Sequence, residues 1–439
     1  MRGDDITEED NQGSQIGSLF KQLVNDRKMD ELGLEFSFHE LQYTLGGVSR
    51  PILQGISGKI RKGRMVGIMG PSGAGKSTFI NILTGKTKQT AGSTTINGVQ
   101  RNFTKFEHLI GFVSQDDCAL ADLTVRENIL HSARIRLGGM LNDDKIRLHV
   151  DEMIAYLGLS HVKDRLTGSV ENRGISGGER KRVCIAQEII AMPMALILDE
   201  PTSGLDATAA LSIMTLLKTL STFGITIVCA VHQPRADIFR LLDDILLLHF
   251  GESIYMGEVA PLDAQFKALH FSFPNGYNPA DAMMDVVTNQ QLCSAFPWPS
   301  PQRSNSQVIN WPIFSKHSMV GDSRRVSELN KSFGQQKATW YRQVLLYTLC
   351  GARQQRRQVF SFLLEMATGA SAGLLMGLSV YEHKGHLFQG YFRQPFEPLS
   401  SAVNYVVVPT VGLLCSLSIS ASTHYQSTTA VSKKTEIDY

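Results

Sequence analysis

Between residue 34 and about residue 290, short apolar runs alternate with longer stretches of helical period. Residues 63–69, 195–198 and 226–231 are such runs, too short for helices and flanked by turn or charged residues. Runs of this kind predict buried core strands. Residues 109–114 read the same way, and residues 244–250 and 253–256, separated by Gly251 and Glu252, predict a late β-hairpin. Strands alternating with helices predict an α/β domain around a central sheet.

The pattern breaks twice. Residues 1–33 read as a polar tail, and residues 291–335 as a flexible linker that opens on Phe296-Pro297-Trp298-Pro299 and has no apolar period. Residues 336–358 predict an amphipathic connecting helix with Arg353, Arg356 and Arg357 at its end. Beyond it, residues 359–381 carry one charge, Glu365, and residues 403–422 carry none. Each run is near the ~20 residues that span a bilayer, so 359–439 reads as a partial transmembrane domain with two spans. The basic residues before the first span, and Lys433 and Lys434 after the second, put both outer flanks on the cytosolic side. Glu365 either snorkels to the interface or faces a substrate. Gly369, Gly373 and Gly377 form a small-residue stripe that permits close helix packing.

Composition changes this picture little. The 439 residues allow two or three domains, and the net charge of +2 with 19% charged residues points away from a nucleic-acid partner. The six cysteines lie far apart with no C-x-x-C pair, which predicts reduced cytosolic thiols and neither a zinc site nor a disulfide framework. The acidic N-terminus lacks the apolar segment of a signal peptide.

The chemistry begins at Gly70-Pro71-Ser72-Gly73-Ala74-Gly75-Lys76-Ser77-Thr78, which fills every fixed position of G-x-x-x-x-G-K-[ST]. A predicted strand precedes it and a predicted helix follows. Glycines let backbone N–H groups turn inward on phosphates, and the positive end of the helix adds to them. Lys76 then reaches the β- and γ-phosphates of ATP, and Ser77 places a hydroxyl on Mg²⁺. Downstream, an apolar strand ends in Asp199 and Glu200. Asp199 can hold Mg²⁺, and Glu200 can polarise an attacking water. His232 ends the run 225–231 and can touch the γ-phosphate. Gln115 ends the run 109–114 and is placed for Mg²⁺ or the water.

Ser176-Gly177-Gly178-Glu179 opens another helix and forms a second anion-binding nest. One nucleotide does not need two cradles from one chain. The economical reading is that Ser176 of one molecule caps the γ-phosphate held by residues 70–78 of another.

Together these motifs resemble the nucleotide-binding domain of ATP-binding cassette (ABC) transporters: the phosphate loop, Gln115, residues 176–179, Asp199-Glu200, Ser203-Gly204-Leu205-Asp206 and His232, in family order. The resemblance implies an α/β P-loop NTPase, with a β-subdomain and a helical subdomain, over residues 34–290. It makes Glu200 the catalytic base, His232 the switch histidine and Asp206 part of the loop linking the two sites across the dimer. The adenine-stacking aromatic is then Tyr43, with Phe38 as the alternative. A cassette ahead of the spans, Asn278-Pro279-Ala280-Asp281, and Glu179 in the signature resemble the G (White) subfamily of half-transporters; the region 350–422 is most similar to its plant and protist members. That subfamily implies a multi-pass integral membrane protein with a cytosolic cassette. It pairs with a second half-transporter chain and exports lipid-like or amphipathic substrates in contact with membrane lipid. It also implies more membrane helices than two, so the expectation carries an alternative: a truncated regulatory or dominant-negative half-transporter that binds ATP and dimerises without transporting. Soluble ABC ATPases of translation or DNA repair are disfavoured, because the chain has neither a second cassette nor a long coiled coil.

Overall fold

The computed structural model describes residues 33–46, 51–100, 109–169, 174–262, 267, 278–288, 337–357, 359, 363, 366–371 and 374. The linker and the run 403–422 lie outside these residues, as does most of 359–381, including Glu365, Gly373 and Gly377. Among the described residues no helix is long and apolar enough to cross a membrane. The chain divides into two units, residues 1–343 and 344–439.

The apolar runs become the centre of the first unit. A six-stranded sheet has the order β10-β9-β3-β8-β7-β6, built from β3 (Met65–Met69), β6 (Ile110–Val113), β7 (Ala195–Asp199), β8 (Thr226–Ala230), β9 (Asp244–His249) and β10 (Glu252–Glu258). The pairs β9-β3, β3-β8, β8-β7 and β7-β6 are all parallel, and only β10 runs antiparallel, at the edge. β3 and β8 are buried at every position, as expected of parallel strands covered on both faces. A second, antiparallel sheet has the order β2-β1-β4-β5, from β1 (Phe36–Tyr43), β2 (Leu53–Ile60), β4 (Ala91–Ile96) and β5 (Val99–Gln100). Its strands mix buried and exposed positions, the mark of a sheet with one face toward solvent.

Helix α1 (Lys76–Leu83) and the inner face of the second sheet share one apolar cluster with one face of the large sheet. Phe38 stacks edge-on against Phe79 there, with ring centroids 5.1 Å apart. A larger cluster covers the other face with α2 (Val125–Leu137), α3 (Asp143–Tyr156), α4 (Gly177–Ile189) and α5 (Ala207–Thr222). Among the described residues the unit also has α6 (Ala236–Phe239) and α7 (Pro279–Thr288). α8 (Trp340–Arg357) starts in the first unit, where Ala338 donates its N–H to Ile135 O and Arg342 reaches Gly138 O at 2.8 Å.

The predicted hairpin turns one residue earlier than its sequence suggests. Glu252 pairs with His249, so the two-residue turn is Phe250-Gly251, with φ of 46° and 82°. Two left-handed residues make a primed turn, whose twist matches that of the strands. At Gly251 a Cβ would stand 2.1 Å from Ile52 O, so the turn can press against β2 only with glycine there.

α2 and α3 are held side by side by ion pairs, Arg126–Asp151 and Arg134–Asp143, each at 2.7 Å. Arg134 and Arg147 hold the Asp143 carboxyl well below the usual carboxylate range, and Arg126 lowers Asp151 in the same way. A depressed carboxylate contributes stability above its unfolded pKa, near 4, and loses it as pH falls toward the folded value. Thermal melts between about pH 5 and pH 2 should therefore show a shallower loss of stability for Asp143→Asn than for the parent chain. Parallel curves would exclude the Asp143 contribution.

Candidate nucleotide site

All the parallel strands end on the same edge of the large sheet, and the candidate chemistry sits on that edge. β3 leads into residues 70–78, β6 into Gln115, β7 into Asp199 and Glu200, and β8 into His232. Sheet pairing sets their order: Asp199 lies opposite Ala230, and the Glu200 N–H donates to Ala230 O at 3.2 Å.

The phosphate loop is backed by the β9-β10 turn. Gly251 N–H donates to Ala74 O at 3.2 Å, and a Cβ at Gly70 would stand 2.2 Å from Leu248 O. Ser72, Gly73 and Ser77 are exposed, Pro71, Gly75 and Thr78 half-buried, Ala74 and Lys76 buried. Lys76 folds over its own loop, donating to Gly70 O at 2.8 Å and Pro71 O at 3.0 Å. Burial lowers its pKa, while Glu200 and Asp199 pull it back up. An ammonium held only by carbonyls in a half-dry loop is matched to phosphate oxygens.

The Asp199 carboxylate and the Ser77 hydroxyl interact. Burial raises the Asp199 pKa, the Ser77 hydroxyl works against that, and the neighbouring Glu200 charge adds to it. Gln115 Nε2 donates to Glu200 Oε2 at 3.0 Å, joining the ends of β6 and β7. Glu200 has φ of 48°, in the left-handed region that non-glycine residues rarely occupy and that clusters at active sites. Among the described residues no group of three or more His, Cys, Asp or Glu side chains could hold a metal. The oxygens of Ser77, Asp199 and Gln115 are a hard donor set that suits Mg²⁺ completed by water and phosphate. A cation there would also relieve the crowding of Asp199 and Glu200.

Other expected residues stand apart from this cluster. His232 is exposed one residue beyond Val231, whose N–H donates to Ile68 O. Tyr43 is half-buried at the end of β1. Phe38 is 3% exposed and closed in by Phe79 and Gly58, so it cannot stack on a base; that alternative is corrected. The contacts of residues 176–179 are with one another and with His161, Leu205 and Ala209. Ser176 caps its own helix, its Oγ accepting the Glu179 N–H while the Glu179 carboxylate accepts the Ser176 N–H at 2.8 Å. Glu179 also meets His161 Nε2 at 2.8 Å. Gly177 packs against Leu205 and Gly178 against Ala209, next to Asp206, which caps α5 by accepting the Ala209 N–H.

Three residues escaped the sequence reading. Lys181, 3% exposed, donates to Gln115 O at 2.9 Å and pairs with Asp117 at 3.1 Å. In sequence it looks like a solvated helix charge. Asn128 is 1% exposed and bonds Leu120 through both N–H and C=O, besides Thr167 and Gln187. Glu188, buried, accepts from Arg136 and from the Phe112 N–H. An isolated Asn or Glu carries no pattern that marks it as buried.

A family profile described as "ABC transporter" matches residues 53–203, from β2 to just past Glu200. Residues 53–203 are thus similar to the ABC transporter family. A second profile, "ABC-2 type transporter", matches residues 232–311. "ABC-type transporter claG" of Penicillium crustosum is 44% identical over 386 residues, covering 88% of this chain and 50% of that protein. "ABC transporter G family member 28" of Arabidopsis thaliana is 41% identical over 257 residues, 58% of this chain and 23% of that one. The chain thus spans half or less of the length of these two relatives. Among solved structures, cbiO1 from Clostridium perfringens, part of the ABC transporter complex cbiONQ, matches with a TM-score of 0.48 and 28% identity, over 55% of this chain and 94% of that one. The chain thus carries an ABC-type ATPase domain and a stretch similar to ABC-2 type transporters, and it is similar to G-family members.

Proposed function

We propose that residues 70–78 bind ATP with Mg²⁺, and that Glu200 drives its hydrolysis in a head-to-tail dimer coupled to export of lipid-like or amphipathic substrates. The observation that carries this reading is the Gln115–Glu200 hydrogen bond at the edge of the sheet that also bears the phosphate loop. Lys76 exchanges the carbonyls of Gly70 and Pro71 for phosphate oxygens. Ser77, Asp199 and Gln115 hold the Mg²⁺, which neutralises phosphate charge when bound. Glu200 orients the attacking water and accepts its proton. His232 senses the γ-phosphate from the next strand end, and Tyr43 stacks on the adenine.

Ser176, Gly177, Gly178 and Glu179 complete the site of a second half-transporter chain, and Asp206 links the two sites. Their contacts within this chain run to His161, Leu205 and Ala209, which supports giving them a nucleotide on another molecule. The protein sits in a membrane as a multi-pass chain, with the cassette on the cytosolic side and the apolar runs 359–381 and 403–422 in lipid.

Complementation tests the shared site. Lys76→Ala and Ser176→Arg chains should each be inactive in ATP turnover. When mixed, they form dimers in which one of the two sites has both Lys76 and Ser176, and turnover returns. Mixtures as inactive as their components, from chains shown to associate, rule the composite site out.

A further inference from the structure

Cys118 and Cys184 are 66 positions apart by number, yet the fold interlocks the segments that carry them. Cys118 lies in the loop after β6, three residues past Gln115, and is half-buried. Cys184 lies on α4, the helix capped by Ser176, and is fully buried. Cys118 packs against the apolar cluster to which Cys184 belongs. Their neighbours interlock: Cys118 Sγ is 4.0 Å from Gln187 Oε1, one turn along α4 from Cys184, and Cys184 Sγ is 4.0 Å from Asp117 Oδ1, next to Cys118. The two cysteines lie on segments tied together by Lys181, Asp117 and the Gln115 carbonyl, so a local closing movement brings their sulfurs to bonding distance.

We infer that Cys118 and Cys184 form an oxidative modification site, in which a peroxide joins them into a disulfide that pins the Gln115 loop to α4 and slows ATP turnover. The division of labour follows from exposure. Cys118 is the thiol a small oxidant can reach, and Cys184 resolves it from inside. Cys118 Sγ attacks one peroxide oxygen, the O–O bond breaks, and water leaves behind a sulfenic acid. Cys184 Sγ then attacks the Cys118 sulfur, and the S–O bond breaks. Its oxygen leaves as a second water with the Cys184 proton. Two thiols lose two electrons, and one peroxide becomes two waters. Burial and the Cys118 contact hold the Cys184 thiol well above its ordinary pKa, so it stays a thiol until the sulfenic acid forms beside it.

The effect on turnover rests on the proposed roles of Gln115 and Ser176, because the bridge would fix the loop of one to the helix of the other. The test treats the full-length chain with hydrogen peroxide, alkylates the remaining thiols, and looks for the peptide pair linked through 118 and 184 by mass spectrometry. ATP turnover is measured before and after, and again after dithiothreitol. The linked pair should appear in the parent chain, with turnover reduced about tenfold as the loop loses its motion and recovered on reduction. Cys118→Ser and Cys184→Ala should each keep their own turnover under the same treatment. Should Cys184→Ala pack poorly, Cys118→Ser, at a half-buried loop position, carries the comparison alone. The inference is overturned if no linked pair forms, if Cys118→Ser loses as much activity as the parent, or if the bridge forms without loss of turnover. The linked peptide is read without any assay of activity, so failure of the ATPase reading and failure of the bridge are told apart.

Discussion

Replacing Glu200 by Gln should reduce ATP turnover by about 10²-fold or more while leaving nucleotide binding intact. The change keeps the shape of the side chain and removes its ability to accept a proton. Gln115 Nε2 can still donate to the amide oxygen at position 200, so the hydrogen bond of 3.0 Å between the two strand ends survives. Lys76, with Ser77 and the backbone of residues 70–75, is unchanged, and so is its grip on phosphate. Binding of a fluorescent ATP analogue to the full-length chain, beside phosphate release, separates the two effects. Equal turnover in parent and variant would remove Glu200 as the base. A loss of binding as large as the loss of turnover would instead make it a structural residue. A carboxylate lost beside Lys76 also takes away a charge that raises the lysine's pKa, which leaves binding more sensitive to alkaline pH.

Asn128→Ala should cost about 4 kcal/mol of stability, because several buried polar groups lose their partner at once. The Asn128 side chain accepts from the Leu120 N–H at 2.9 Å and from Gln187 Nε2 at 3.2 Å, and donates to Leu120 O and to Thr167 Oγ1, each at 2.9 Å. Each buried group left unsatisfied costs about 1–3 kcal/mol, and alanine cannot reach any of them. The network ties α2 to the loop that follows Gln115 and to α4, so local loss should reach the site. Urea unfolding measures the first effect and ATP turnover at low denaturant the second. A cost under about 1 kcal/mol would mean that water replaces the side chain and that the network is not what holds the loop.

Much of this was legible in the sequence, for identifiable reasons. The parallel strands announce themselves as unbroken apolar runs because both their faces are covered, and the runs 63–69, 195–198 and 226–231 match β3, β7 and β8 to within two residues. The turn of the late hairpin was misplaced by one residue, since Phe250 at φ of 46° is a residue type that carries no turn signal. For base stacking the sequence favours Tyr43 and leaves Phe38 as the alternative. Strand alternation and the packing of α1 bury Phe38 and leave Tyr43 at the edge.

By itself the sequence determined the chemistry and the order of its parts. A phosphate cradle, a pair of acids and a glycine-opened helix are local devices, each made by residues adjacent in the chain, so spacing alone reveals them. Only the tertiary structure decided which of them meet. Sheet order brings Gln115 to Glu200 across 85 positions, and it brings Lys181 of α4 to the Gln115 carbonyl. The same fold brings the Cys118 loop onto the helix that carries Cys184 and holds Ser176 in its own helix cap. Such pairings depend on which strands lie side by side and which side chains lose their water. Those are properties of the packed sheet and helices, and no short stretch of sequence encodes them.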